Sequence, residues 1–250
     1  TSEKDGPVTI LELSRGKGNA LSDAFVGELR AAVARAREEG PGCLVMTSAD
    51  ERFFSVGMDL VEMQAADPGA VSRTLQSFCA LYHEIFFFPR PVLAVLPGHA
   101  LAGGAILALA ADFRIGRQGN WQFGVTEVDL GVPVPPGVYE MTVQAAGVAA
   151  ARRILLLGET FDPASAWQIG LLDRLEPTDR FESAWREFAA GLAAKPVEAY
   201  SGMKLAARVP LGSAFVDKAA LQAFMTCWFA EPARNRRREI YEKLTAKKPG

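Results

Sequence analysis

The sequence predicts an α/β protein with an all-helical tail, and three observations carry that prediction. Short apolar runs alternate with amphipathic stretches through the first half of the chain, the pattern of strands exchanging with helices. From Phe181 onward one helical pattern follows another, punctuated by Pro196, Pro210 and Pro232. The 250 residues are 49% hydrophobic, enough for a large core, and no exact repeat or low-complexity linker divides them.

Taken in order, Val8 to Leu13 alternates apolar and polar side chains, as a half-buried strand does. Ser22-Asp23 opens a helix through Phe25, Leu29 and Val33 that stops at Gly40-Pro41. Cys43 to Met46 and Pro91 to Leu96 are short apolar runs of buried-strand type, with a helix over Val71 to Phe87 between them. Gly103 to Ala111, rich in Ala and Leu, predicts a buried helix, and Arg114-Ile115 and Trp121 to Gly124 extended chain. Gly137 to Ala146 and Ala149 to Leu157 predict two helices, and Asp162-Pro163 the N-cap and first residue of another.

A formal net charge of −2 argues against a nucleic-acid binder, which needs a basic stripe to displace phosphate counterions. Basic residues nevertheless crowd the C-terminus, at Arg234, Arg236, Arg237, Arg238, Lys243, Lys247 and Lys248. They read either as a solvated helix face or as a contact to a phosphorylated ligand or partner. Cys43, Cys79 and Cys227 lack CxxC spacing and read as small buried apolar residues, not as a disulfide framework or zinc site. The polar, acidic start is unlike a targeting peptide, and the apolar stretch Leu101 to Ala111 is too short to span a bilayer. A soluble, reducing, cytoplasmic setting without membrane attachment is therefore expected. No GxGxxG, GxxxxGK[ST], GxSxG or HExxH pattern occurs, and His83 and His99 read as structural. Neither a redox cofactor nor a catalytic metal is expected.

Three segments stand out together: Phe53-Phe54-Ser55-Val56-Gly57-Met58-Asp59-Leu60, Pro97 to Ala105 with its Gly103-Gly104 pair, and Phe123 to Gly131 with Glu127. Singly, each has a structural explanation: a turn, a tight helix contact, a surface carboxylate. In this order, with Asn19-Ala20-Leu21-Ser22 before them and Phe161 to Ala166 and Ile169 to Asp173 after them, the set resembles the crotonase (enoyl-CoA hydratase/isomerase) superfamily over nearly the whole chain.

The resemblance implies a spiral of ββα units capped by C-terminal helices that build homotrimers or hexamers. By that reading residues 1–195 are the core with an acyl-CoA site, and residues 196–250 the helical oligomerisation region. Coenzyme A is then part of the substrate, and no separate cofactor is implied. The implied oxyanion-hole donors are the backbone N–H groups of Met58 and Gly103. A helix starting at Gly103 independently offers unpaired N–H groups with the positive end of its dipole behind them. Gly57, Ile106 and Leu130 fall on substrate-lining positions, and Lys17 or a C-terminal Lys or Arg on the coenzyme phosphates.

Resembling hydratases carry two glutamates; here one position holds Ile106 and the other Glu127. Adding water across a conjugated bond needs groups that orient and deprotonate water and then protonate C2. Moving a double bond from Δ3 to Δ2 needs one base, provided the dienolate oxygen is held. A hydrocarbon at 106 also makes the pocket drier and should raise the Glu127 pKa. Val132 to Gly137 lacks the glycine-rich stretch usual in hydratases, and Ala102 replaces a third glycine, features closer to the mitochondrial-type isomerases. The expected activity is thus a Δ3-Δ2-enoyl-CoA isomerase of fatty-acid degradation. The alternatives are a weak hydratase, thioester hydrolase or decarboxylase assisted by Asp112, Asp129 or a residue the sequence does not place, or a catalytically silent acyl-CoA-binding homologue.

Overall fold

A computed structural model describes residues 1–246, with the backbone alone at Lys17 and at 243–246. Its larger sheet has the order β1 (Ser2–Asp5), β2 (Val8–Leu13), β3 (Cys43–Ser48), β5 (Val92–Leu96), β7 (Phe113–Arg117), β9 (Arg174–Glu176). Only the β1–β2 hairpin is antiparallel; every later neighbour is parallel. A second, parallel sheet holds β4 (Phe53–Ser55), β6 (His99–Leu101) and β8 (Phe123–Gly124). Each turn of the chain adds one strand to the large sheet, the next to the small sheet, then a helix. That is the ββα spiral the motifs imply.

The period-2 geometry of strands explains why the middle of the large sheet reads as unbroken apolar runs. Leu44, Met46, Val92, Ala94 and Leu96 face one core. Cys43, Val45, Leu93 and Val95 face the other, where Phe181, Trp185, Ala189 and Leu192 of α8 (Phe181–Ala193) cover them. On the first side lie α2 (Asp23–Glu39), α4 (Pro68–Phe86) and α5 (Gly103–Ala110). Ser22 caps α2 by accepting from Phe25 N, and Gly40 ends it in the left-handed region at φ 63°. Asp162 likewise caps α7 (Pro163–Gln168). The two helices expected after residue 136 form α6 (Val138–Leu156), broken at Gly147, φ 79°.

Shorter helices are α1 (Gly16–Asn19), α3 (Leu60–Ala65) and α10 (Gly212–Phe215); the tail is otherwise α9 (Val197–Arg208), α11 (Lys218–Phe229) and α12 (Glu231–Ala246). A buried ionic cluster fastens α9. Asp112, just beyond α5, receives Lys204 Nζ and Arg208 Nη2, both at 2.8 Å, and the Val92 N–H at 2.7 Å. Burial pushes the Lys204 ammonium down to about 8 against the pull of Asp112. Farther on, Phe224 and Trp228 of α11 and Ala233 of α12 pack with Met63, Val71, Leu75 and Val132 in a separate apolar cluster. The thiols are unbridged; Cys43 is buried, while Cys79 and Cys227 are half-buried, less enclosed than their sequence context suggests. No helix among the described residues is long and apolar enough to cross a membrane.

Candidate active site

The three marked segments meet because β4, β6 and β8 are parallel neighbours, so their C-terminal ends share one edge. Met58 follows β4 by three residues, Gly103 follows β6 by two, and Glu127 follows β8 by three. The carboxyl edge of parallel strands is where α/β proteins gather their chemistry.

Asn19, Leu21 and Ser55 shape the Met58 loop. The fully buried Asn19 side chain donates to Ser48 Oγ at 2.8 Å and Phe54 O at 3.1 Å. Ser55 Oγ donates to Asn19 O at 2.9 Å and accepts from Gly57 N at 3.1 Å. Leu21 bridges Met58: its N–H donates to Gly57 O at 2.8 Å and its carbonyl accepts from Asp59 N at 3.1 Å. Both ladder bonds use the residues flanking Met58. Among the described residues the Met58 N–H itself donates to none. The Met58 side chain packs between two apolar clusters.

Gly57 has φ +88°, and a Cβ there would lie 2.7 Å from Gly103 N. The loop backbone and the start of α5 are thus in contact, which only glycine permits. Ala102, the residue before α5, has φ 48° and ψ −126°, a conformation costly for an L-residue with a Cβ. That rotation orients the peptide whose N–H belongs to Gly103, another donor without a partner among the described residues. A Cβ on Gly104 would sit 2.2 Å from Ser55 O and 2.7 Å from Ser55 C. Gly104→Ala should therefore push β4 from α5, lowering stability by about 2–3 kcal/mol and impairing activity at the displaced Met58 loop. Denaturant midpoints and turnover check this; an unchanged midpoint would contradict the close approach.

Glu127 starts a 3-10 turn ending at Gly131, φ 78°. It is only 6% exposed, and its Oε2 has no hydrogen-bond partner. Burial pushes its carboxyl up to about 7, opposed by a hydrogen bond from its own N–H. A buried carboxyl with one unpartnered oxygen and a pKa pushed up to about 7 suits a general base.

Of the other sequence candidates, Ile106 lies one turn into α5 and is completely buried in the main core. Leu130 packs on the apolar cluster of α11 and α12. The Lys17 side chain, the Lys243 side chain, Lys247 and Lys248 lie outside the described residues. Asp112 is engaged by Lys204 and Arg208, so it is not free to assist the chemistry. His99 has a structural bond, accepting from Gln122 N at 3.0 Å through Nδ1. The basic tail is not a uniformly solvated face, because Arg237 is buried. Sequence reasoning passed over Asn19 and Ser55 as supports of the Met58 loop, although both lie in the segments that carry the resemblance.

Residues 3–237 match the enoyl-CoA hydratase/isomerase family. A Rhizobium meliloti (strain 1021) protein described as "Probable enoyl-CoA hydratase" is 31% identical over 246 residues, 98% of this chain and 88% of that protein. A Dictyostelium discoideum relative, "Probable enoyl-CoA hydratase, mitochondrial", is 30% identical over 72% of this chain, and the match spans 64% of its own length. The crystal structure of human mitochondrial Δ3-Δ2-enoyl-CoA isomerase superposes with a TM-score of 0.94 at 25% identity, covering 100% of this chain and 99% of that one. Motif order, ββα spiral and family match agree: the chain belongs to the enoyl-CoA hydratase/isomerase family of the crotonase superfamily.

Proposed function

We propose that the protein isomerises 3-enoyl-CoA to 2-enoyl-CoA, with Glu127 as the single proton shuttle. The observation that carries this reading is the buried Glu127 carboxyl without a partner for Oε2, with a hydrocarbon, Ile106, where resembling hydratases hold their second glutamate. The thioester oxygen sits against the Met58 and Gly103 N–H groups. Glu127 takes a proton from C2, the electron pair spreads over a dienolate whose oxygen those donors stabilise, and the same carboxyl returns the proton at C4. Two preorganised donors suit a charge that develops only during reaction.

Hydration is the second reading, supported by the hydratase names of the Rhizobium and Dictyostelium relatives. Against it stands the apolar position 106: a water there lacks a second polar anchor. Purified protein given a 3-enoyl-CoA should raise the absorbance of the conjugated thioester, while 2-enoyl-CoA should be hydrated slowly or not at all. Rapid formation of 3-hydroxyacyl-CoA with no action on the 3-enoyl substrate would replace this reading by hydration.

The working form we infer is a homotrimer or hexamer in a soluble, reducing compartment such as the cytoplasm. Exposed Leu156, Leu157, Met203, Val209 and Val216 supply apolar surface for subunit contact, and three unbridged thiols suit reducing conditions.

A further inference from the structure

Tyr82, on α4, is completely buried, in a place where phenylalanine would pack without an oxygen to satisfy. Its hydroxyl donates to Pro136 O at 2.6 Å, across 54 positions of sequence. Its other polar neighbour is the Cys79 thiol, one turn back. Pro136 lies in Val132 to Gly137, the stretch that leads from the Glu127 turn into α6. Proline at 133, 135 and 136 removes three of that stretch's six N–H donors, so its carbonyls are the main handles by which the core can hold it. At the near end Val132 N donates to Glu127 O at 3.1 Å. At the far end stands Gly137, φ +82°, where a Cβ would lie 2.6 Å from the Phe215 ring. The stretch behind Glu127 is thus fixed between the Tyr82 hydroxyl and the Phe215 ring.

The same face of α4 backs the other half of the candidate site. Phe78 precedes Tyr82 by one turn and meets it edge-on, with ring centroids 5.3 Å apart. Phe78 Cζ lies 3.2 Å from where a Cβ on Gly103 would be. Donor and base therefore rest on neighbouring side chains of one helix, Phe78 against Gly103 and Tyr82 on the stretch that follows Glu127.

We propose that Tyr82 is a positioning residue for the reaction: through Pro136 its hydroxyl fixes the Glu127 turn relative to the Gly103 donor that Phe78 backs. This rests on the isomerase reading above, in which one carboxyl must reach both C2 and C4 while the oxyanion stays on its donors. Misplacement by about 1 Å costs up to about 10²-fold in rate. A loosened stretch also admits water to Glu127. Its carboxyl is raised by burial and lowered by its own N–H, with no charged group among the causes, so hydration brings it back down.

Tyr82→Phe removes one oxygen and leaves the ring. It should lower kcat by about 10–100-fold with KM little changed. It should also move the acid limb of the pH profile from near 7 towards the ordinary carboxyl value of 4.5. The control for a merely structural loss is Trp185→Phe, in the core on the other face of the large sheet. It deletes the hydrogen bond from Trp185 Nε1 to Glu182 at 2.8 Å and should leave the limb near 7. Infrared titration of the Glu127 carboxyl, with Glu127→Gln as the blank, reads the same shift without substrate. A limb and a carboxyl band that titrate in Tyr82→Phe as in wild type, however far the melting temperature falls, would overturn the proposal. So would an equal shift in Trp185→Phe, which would assign the effect to general loosening of the fold. If the wild type does not isomerise, the isomerase reading fails and the infrared titration alone decides. A downward shift confined to Tyr82→Phe then keeps the hold of Tyr82 on Glu127, and an unshifted band rejects it.

Discussion

Glu127→Gln should lower turnover by about 10²–10⁴-fold, the usual contribution of a positioned general base, with little change in acyl-CoA affinity. Glutamine keeps the shape and hydrogen-bonding reach of the side chain and loses only the ability to accept the proton. In the wild type, kcat/KM should rise with pH through an acid limb near 7, because the base works ionised and burial pushes its carboxyl up to about 7. The same variant should change stability with a sign that can be worked out. The folded carboxyl keeps its proton up to about pH 7, whereas its ordinary value is 4.5. Between those values the folded state binds more protons than the unfolded one, so wild-type stability falls as pH rises through that window. Above it the penalty is about 3 kcal/mol; below about pH 4 both states are protonated and it vanishes. Glu127→Gln, which has no such penalty, should therefore melt above wild type at pH 8 and close to it at pH 4. Near-normal turnover would sink the single-base mechanism, and equal melting shifts at both pH values would show that Glu127 is not held in a dry site.

Met58→Pro should abolish most activity, and Met58→Ala should keep most of it. Proline removes the backbone N–H, and losing one oxyanion donor costs about 10²–10³-fold in kcat. Alanine leaves the donor and trims only a side chain packed between two apolar clusters, so its cost should fall mainly on stability. Because proline also restricts the residue before it, and Gly57 has φ +88°, circular dichroism and coenzyme A binding must accompany the comparison. Equal loss of turnover in both variants with the fold intact would remove the Met58 N–H from its assigned role.

The inner strands of the large sheet, β2, β3, β5 and β7, and the long helices were legible because what they bury dictates their apolar pattern. The Ser22 cap of α2 appears where capping chemistry puts it; Val8–Leu13 is the expected strand but is not half-buried, because Val8 and Ile10 face one core and Leu11 and Leu13 the other. Of the small sheet only β8 was legible, inside the extended run Trp121 to Gly124; β4 and β6 hold three residues each, too few for a period-2 pattern. Their neighbourhood showed itself only through glycines and Glu127 in order along the chain. Fully exposed β1 has no apolar face to announce it. A backbone rotation such as that at Ala102 carries no residue signature when alanine occupies the position. Arg237 was hidden for the opposite reason: in a run of arginines a buried member looks like its solvated neighbours, and only the packing of α11 on α12 singles it out.

The ionic cluster at Asp112 has a mechanical meaning for the other end of α5. Lys204 and Arg208 reach Asp112 from α9, while Arg114 and Arg208 also donate to Ala111 O at 3.2 and 3.4 Å. The helix between that anchorage and the Gly103 donor has eight residues, a rod about 12 Å long. A rod clamped at one end delivers small rotations of the clamp to its tip as displacement, and an electrostatic donor tolerates only about 0.5 Å of misplacement. If Gly103 is the donor proposed above, the tail of the chain bears on how firmly that donor is held, although it is remote from it in sequence. Substitutions at positions 204 and 208 are accordingly a route by which turnover can be tuned without touching the pocket.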